Sequence, residues 1–140
     1  MKKIVFIDTS ALIGIFNRKD QYHTEAKKIY KKIKNNDFRI IISNYIVAES
    51  HALILRETKN PSIGFKLLDK FYDKNEFNVI FIENDIEEIA RKELIKYKDK
   101  LWSITDMASF VVMQKLGLQY YFSYDSDFRQ NRNFQDIKSI

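Results

Sequence analysis

Asp8, Glu49, Asp106 and Asp125 each stand where a carboxylate is out of place. Asp8 ends the apolar run Ile4-Val5-Phe6-Ile7, and Glu49 interrupts the apolar stripe of a helix. Asp106 opens another helix behind Ser103, and Asp125 follows the aromatic run Tyr120-Tyr121-Phe122. If the strands implied by these runs lie parallel in one sheet, their carboxyl ends point the same way and the acids meet in one crevice. Crowded carboxylates raise one another's pKa and stay ionised only beside a cation. Hard oxygen ligands of this kind suit Mg²⁺ or Mn²⁺. The pattern is that of a metal-dependent enzyme acting on phosphates.

Each acid also has a plainer reading. Asp8 can cap the helix that follows it, while Thr9 and Ser10 beside it offer hydroxyls that orient a ligand carboxylate. The neighbours of Glu49 at helical spacing are Tyr45, Ile46, Ala52 and Leu53, which places it on the buried side. A charge there demands a buried Lys or Arg, or a metal. Asp106 lies three residues after Ser103, the spacing of a capping box, with Thr105 as a further hydroxyl. Asp125 and Asp127 flank Ser126 in a turn, where Asp is common. Asp125 is nearer the strand end and is favoured as the ligand, with Asp127 in support. Trp102 and Phe128 read as packing residues. His23 and His51 read as surface residues, and two scattered His make no zinc site.

The elements that must position these acids alternate. Strands are expected at Lys3–Ile7, Arg39–Ile42, Asn78–Ile82 and Gln119–Ser123, with a short edge strand at Gln135–Ser139. Helices are expected from Ser10 to Phe16, Tyr22 to Lys34, Ser43 or Asn44 to Thr58, Ser62 to Tyr72, Asn84 or Asp85 to Tyr97, and Ser103 to Gly117. Tyr22, Ala26, Ile29, Tyr30 and Ile33 share one face of the second helix. Ile63, Phe65, Leu67, Leu68 and Phe71 mostly face inward on the fourth. The alternation argues a parallel sheet covered on both faces. Apolar positions around Ile46, Leu53, Leu67 and Phe71 exceed what one small sheet must cover, so most are expected in the core and some in a dimer or partner groove.

The 140 residues fit one domain, 1–140, with 45% hydrophobic residues to form its core. The absence of cysteine excludes disulfide scaffolds, thiolate zinc sites and cysteine nucleophiles. No apolar run approaches the roughly 20 residues that span a bilayer. Met1-Lys2-Lys3 before an apolar run is leader-like, but Asp8 cuts that run, so a cytoplasmic protein without membrane partners is expected. The net charge of +5 is uneven. Lys27, Lys28, Lys31, Lys32 and Lys34 crowd one helix, a solvated face or the basic surface that an enzyme of polyanions needs.

Four segments together resemble the PIN-domain ribonucleases. Ile4-Val5-Phe6-Ile7-Asp8-Thr9-Ser10-Ala11-Leu12 is similar to their opening strand and turn, and Ser43-Asn44-Tyr45-Ile46-Val47-Ala48-Glu49 to their second acidic segment. Leu101-Trp102-Ser103-Ile104-Thr105-Asp106-Met107-Ala108-Ser109 is similar to the third, and Phe122-Ser123-Tyr124-Asp125-Ser126-Asp127-Phe128 to the closing turn. Within that superfamily the chain looks most like VapC-type toxins of prokaryotic toxin–antitoxin pairs. The resemblance implies a three-layer α/β/α domain with a parallel sheet of about five strands. It also implies a Mg²⁺- or Mn²⁺-dependent endoribonuclease that hydrolyses RNA with metal-activated water, often as a homodimer and partnered by a small antitoxin. Carried over, Asp8, Glu49, Asp106 and Asp125 are the catalytic metal ligands. The rival readings are a PIN-fold RNA-processing nuclease without antitoxin, a non-catalytic RNA-binding regulator, and an aspartyl phosphotransferase. The last commonly needs a second Asp two residues after the first, where this chain has Ser10.

Overall fold

Strand β1 (Ile4–Ile7) is apolar throughout, as a strand covered on both faces must be, and Val5, Phe6 and Ile7 are fully buried. The computed structural model describes residues 3–139; Met1 and Lys2 of the leader-like start, and Ile140, lie outside the described residues. After β1 come α1 (Thr9–Phe16), α2 (His23–Asn35), β2 (Arg39–Ser43), α3 (Asn44–Thr58), α4 (Pro61–Phe71) and β3 (Asn78–Ile80). Then follow α5 (Asn84–Lys96), α6 (Ile104–Lys115), β4 (Tyr120–Phe122), α7 (Ser126–Gln130), β5 (Gln135–Asp136) and a 3₁₀ turn, Ile137–Ser139. The sheet has five parallel strands in the order β3-β2-β1-β4-β5.

That order reverses at β1. From β1 the chain steps outward to β2 and β3, then returns to the other side of β1 for β4 and β5. Crossovers between parallel strands are right-handed, so the change of direction sends the helices to opposite faces. Accordingly α1 packs on α2 and α3, and α3 on α4, while α5 packs on α6. Phe16, Tyr30, Phe71 and Phe77 knit the first layer, and Trp102, Phe110, Phe128 and Phe134 the second. The result is the three-layer α/β/α architecture with a five-stranded parallel sheet.

Local chemistry explains most boundaries. Ser43 accepts a hydrogen bond from the Ile46 amide and caps α3, and Asn60 caps α4 with Pro61 at its first position. Gly117 follows α6 with φ 64°, a left-handed conformation that favours glycine. Three expectations need correction. Residues 126–130 form a short helix rather than a turn, because Asp125 caps them. Gln135–Ser139 is a two-residue strand passing into a 3₁₀ turn. On α4, Phe65 and Ile63 point outward, since only Gly64, Leu67 and Phe71 fall on the buried stripe. Ile46, Leu67 and Phe71 are core residues, as expected of most of their set, which leaves of the four only the half-buried Leu53 for a groove.

Candidate active site

In a parallel sheet, ligands bind outside the carboxyl ends of the strands where the order reverses. Here that point lies between β1 and β4, whose register pairs Ile7 with Phe122. The residues that follow, Asp8 and Ser123, are therefore neighbours although 115 positions apart in sequence. The Asp8 amide donates to the Phe122 carbonyl at 2.9 Å, extending the ladder by one bond. The Asp8 carboxylate does not cap α1. Its Oδ2 accepts hydrogen bonds from Ser123 Oγ at 2.8 Å and Ser10 Oγ at 3.2 Å. Ser10 thus orients Asp8 as expected. Thr9 does not: its buried Oγ1 has no partner among the described residues, and Ser123 takes the role instead.

Asp106 forms the capping box that its spacing from Ser103 implies. Its amide donates to Ser103 Oγ at 3.1 Å and its Oδ2 accepts from the Ser103 amide at 3.0 Å, a complete capping box. The bond anchors one carboxylate oxygen and leaves Oδ1 for another partner. Thr105 contributes its backbone, its carbonyl accepting from Ser109 Oγ at the next turn of α6. Asp125 caps α7 by accepting from the Asp127 amide at 3.0 Å, and this turn swings Asp127 inward. Carboxylate oxygens of Asp106, Asp125 and Asp127 all lie within 4.8 Å of one another. Asp125 and Asp127 therefore both reach the cluster.

Glu49 differs from expectation. It lies on the exposed side of α3, not within a buried stripe, because only Ile46, Val47, Ser50 and Ile54 turn toward the core. From that edge it still faces the cleft, close enough for its charge to act on Asp8. The cleft measures about 400 Å³ and its lining holds six acids, Asp8, Asp20, Glu49, Glu57, Asp106 and Asp125. No Lys, Arg or His is found among the described residues that line it. His23 and His51 are both half-buried rather than surface residues. His23 Nδ1 donates to the Gly14 carbonyl at 2.8 Å, and His51 lies where a Cβ on Gly64 would stand 2.8 Å from its Nε2.

Electrostatics follow from this geometry. Asp8, 4% exposed, is pushed up to about 6 by burial, with the charges of Glu49 and Asp125 adding to it and the Ser123 hydrogen bond opposing it. Asp106, 8% exposed, is pushed up to about 7 by burial first, then by Asp8 and Asp127, against the Ser103 amide. Both shifts describe carboxylates without a counter-charge. A hard divalent cation fits this donor set, which is all oxygen, convergent and unpaired with any base. Sequence reasoning missed Ser123 and the aromatic pair Tyr22 and Tyr124, which also line or flank the cleft. A hydroxyl one residue past β4 was a signal, but only the strand order gives it a partner.

The likeness to known proteins extends over the same residues. Over 125 residues the chain is 26% identical to the 23S rRNA-specific endonuclease VapC20 of Mycobacterium tuberculosis, covering 89% of this chain and 92% of that one. The crystal structure of VapC20, described as a sarcin–ricin loop cleaving toxin, superposes with a TM-score of 0.81 at 25% identity, covering 90% of this chain and 93% of the other. VapBC2 from Rickettsia felis, solved with a promoter DNA fragment, gives 0.64 at 16% identity over 95% and 96% of the two chains. PAE2754 from Pyrobaculum aerophilum gives 0.65 at 14% identity over 99% and 94%, and these last two likenesses speak for the fold. The PIN domain family model matches residues 5–133, a span that takes in Asp8, Glu49, Asp106, Asp125 and Asp127. The chain belongs to the PIN-domain family.

Proposed function

We propose that this protein is a divalent-metal-dependent endoribonuclease, with Asp8, Asp106, Asp125 and Glu49 as catalytic metal ligands and Asp127 beside them. The observation that carries this reading is a cleft lined by six carboxylates and no basic side chain. Two of those carboxylates are buried at the cost of their ionisation. Such a cluster repels a phosphate unless a cation stands between them. When bound, a divalent cation lowers the pKa of a coordinated water and neutralises charge on the scissile phosphate. The chain's own part is positional. Ser10 and Ser123 fix the Asp8 carboxylate, the capping box fixes Asp106, and α7 presents Asp125 with Asp127. Neither His lines the cleft, which favours a reaction without an imidazole base.

VapC20 acts on 23S rRNA and is described as a toxin, so the sarcin–ricin loop is the first RNA to test. A toxin of this class requires a silencing partner, and a small antitoxin that inserts an Arg or Lys among these acids would relieve the same repulsion as a metal. We extend the proposal to such a partner, to a homodimer and to a single domain over 1–140. A nuclease of ribosomal RNA would work in the cytoplasm. Consistent with that, no helix of the described residues is long and apolar enough to cross a membrane.

The test is cleavage of 23S rRNA and of a sarcin–ricin hairpin by purified protein in Mg²⁺ or Mn²⁺, beside excess chelator and the Asp106→Asn variant. Cutting that requires metal and fails with Asp106→Asn supports the reading. Undiminished cutting in chelator defeats it. Hydrolysis by water leaves 5′-phosphate and 3′-hydroxyl ends, so 2′,3′-cyclic phosphate ends would instead indicate acid–base catalysis through the ribose hydroxyl. Co-expression with the neighbouring reading frame, read by growth and size-exclusion, tests the antitoxin separately.

A further inference from the structure

Tyr22 lines the acidic cleft, yet the chemistry described above makes no use of it. Its ring lies parallel to that of Tyr124, with centroids 4.1 Å apart and planes 5° from one another. Tyr124 is anchored by its side chain and backbone, and Tyr22 by its backbone and by this stacking. The Tyr124 hydroxyl donates to Glu25 Oε1 at 2.8 Å, its amide donates to Ser10 Oγ at 2.9 Å, and the Lys138 ammonium stands 4.8 Å from its ring centre. The Tyr22 amide donates to Asp20 Oδ2 at 2.9 Å, and its carbonyl accepts from the Ala26 amide at 2.8 Å in the first turn of α2. The next residue, His23, is tied to Gly14. One face of the Tyr22 ring is covered by Tyr124, and the residue is 39% exposed.

A large aromatic ring kept half-open and fixed at the mouth of a polar cleft invites a flat partner. The surroundings say which. The carboxylates lining this cleft oppose direct phosphate contact, so a strand held here gains affinity from uncharged contacts. Unpaired nucleobases stack on aromatic faces whatever their identity, because each base has a π face. We infer that Tyr22, backed by Tyr124, is the stacking platform for an unpaired nucleobase beside the phosphodiester presented to Asp8 and Asp106. This inference rests on the nuclease reading for its substrate class. Tyr22 is a positioning residue: it holds a base in register and does not touch the reacting atoms.

The experiment uses a sarcin–ricin hairpin carrying 2-aminopurine at one loop position at a time, bound to the Asp106→Asn protein in Mg²⁺. Stacking quenches the fluorescence of this base. At one or two positions binding should quench it, and adding Tyr22→Ala should abolish the quench and weaken binding between about 5-fold and 100-fold. Tyr22→Phe and Tyr22→Trp should keep both, whereas Tyr22→Leu, which packs but has no π face, should behave like alanine. The salt dependence of binding should keep its slope in Tyr22→Ala, since no phosphate contact is removed. In the cleavage-competent protein, Tyr22→Ala should raise KM with little change in kcat. Quenching that survives Tyr22→Ala, or an unchanged KM, overturns the platform while metal-dependent cleavage leaves the nuclease reading standing. Tyr22-dependent quenching by a wild-type protein that never cuts RNA would do the reverse.

Discussion

Two ends of the same sheet treat carboxylates in opposite ways. At the amino end, Glu76 precedes β3, 16% exposed at its side chain, and is met by Lys34 at 2.8 Å, Lys70 at 3.3 Å and the Tyr30 hydroxyl at 2.6 Å. Those partners, Lys34 first, hold its carboxyl down to about 2. At the carboxyl end, Asp8 and Asp106 meet only hydroxyls, amides and other acids, and are pushed up to about 6 and about 7. Glu76 carries its counter-charge within the chain; the cleft does not. The carboxylates at the two ends therefore differ both in burial, which leads the upward shifts of Asp8 and Asp106, and in what stands opposite, which leads the downward shift of Glu76. The basic partners of Glu76 come from the last turns of α2 and α4, whereas α2 brings only its first turn, at Tyr22, to the cleft.

The sharpest way to break this contrast is to remove one acid from each end. Asp106→Asn should cost more than about 100-fold in RNA cleavage, exceeding the 10–100-fold typical of residues that merely orient metal ligands. It should leave the fold intact and raise thermal stability without metal, because repulsion is relieved. Melting curves with and without Mn²⁺ check this: metal should stabilise the wild type and fail to stabilise the variant. A smaller effect on cleavage, within about 10–100-fold, is expected for Ser123→Ala, which releases the Asp8 carboxylate without removing it. Retained activity in Ser123→Ala would reduce that hydroxyl to a packing role.

At the other end the sign reverses. Glu76→Gln should lower stability by about 1–2 kcal/mol, since a charge-assisted network loses its acceptor. Cleavage should stay at wild-type level. Equal melting temperatures for Glu76→Gln and wild type at pH 7 would show that these lysines are solvated rather than paired.

The mildest test is pH. Asp8 and Asp106 hold protons in the folded state at pH values where an unfolded Asp has lost them, so stability without metal should fall as pH rises from about 4 to about 7. Glu76 works oppositely: its contribution is complete above its ordinary value of 4.5 and is lost as pH falls toward about 2. Stability without metal should therefore peak between pH 4 and 5. Saturating Mn²⁺ should flatten the decline above that peak and release protons on binding at pH 6. A metal-free stability that climbs steadily to pH 7 would contradict the raised carboxyls of the cleft.

Much of this was legible along the chain because it is local. Apolar runs of strand length alternate with helical stripes, and the parallel three-layer fold follows from that alternation. Asp8 declares itself by ending an apolar strand, Asp125 by following one within a few residues, and Asp106 by its spacing from Ser103. What failed was equally local in cause. Helical spacing put Glu49 among apolar neighbours, but Ala52 of that set faces solvent, and the periodicity could not say which edge of the stripe meets the core. The turn after β4 offered two acids, of which nearness to the strand favoured Asp125, and folding it into α7 brought both to the cluster.

Residue types and spacings by themselves determined which carboxylates end strands, which helices are capped, and that the sheet is parallel, since each depends on neighbours a few positions away. Only the tertiary structure decided that β4 returns to the far side of β1. That single choice sets Ser123 against Asp8, stacks Tyr124 on Tyr22 and closes the acids around one cleft. Strand order is decided by crossover handedness and by the packing of whole layers, and no short stretch of sequence contains either.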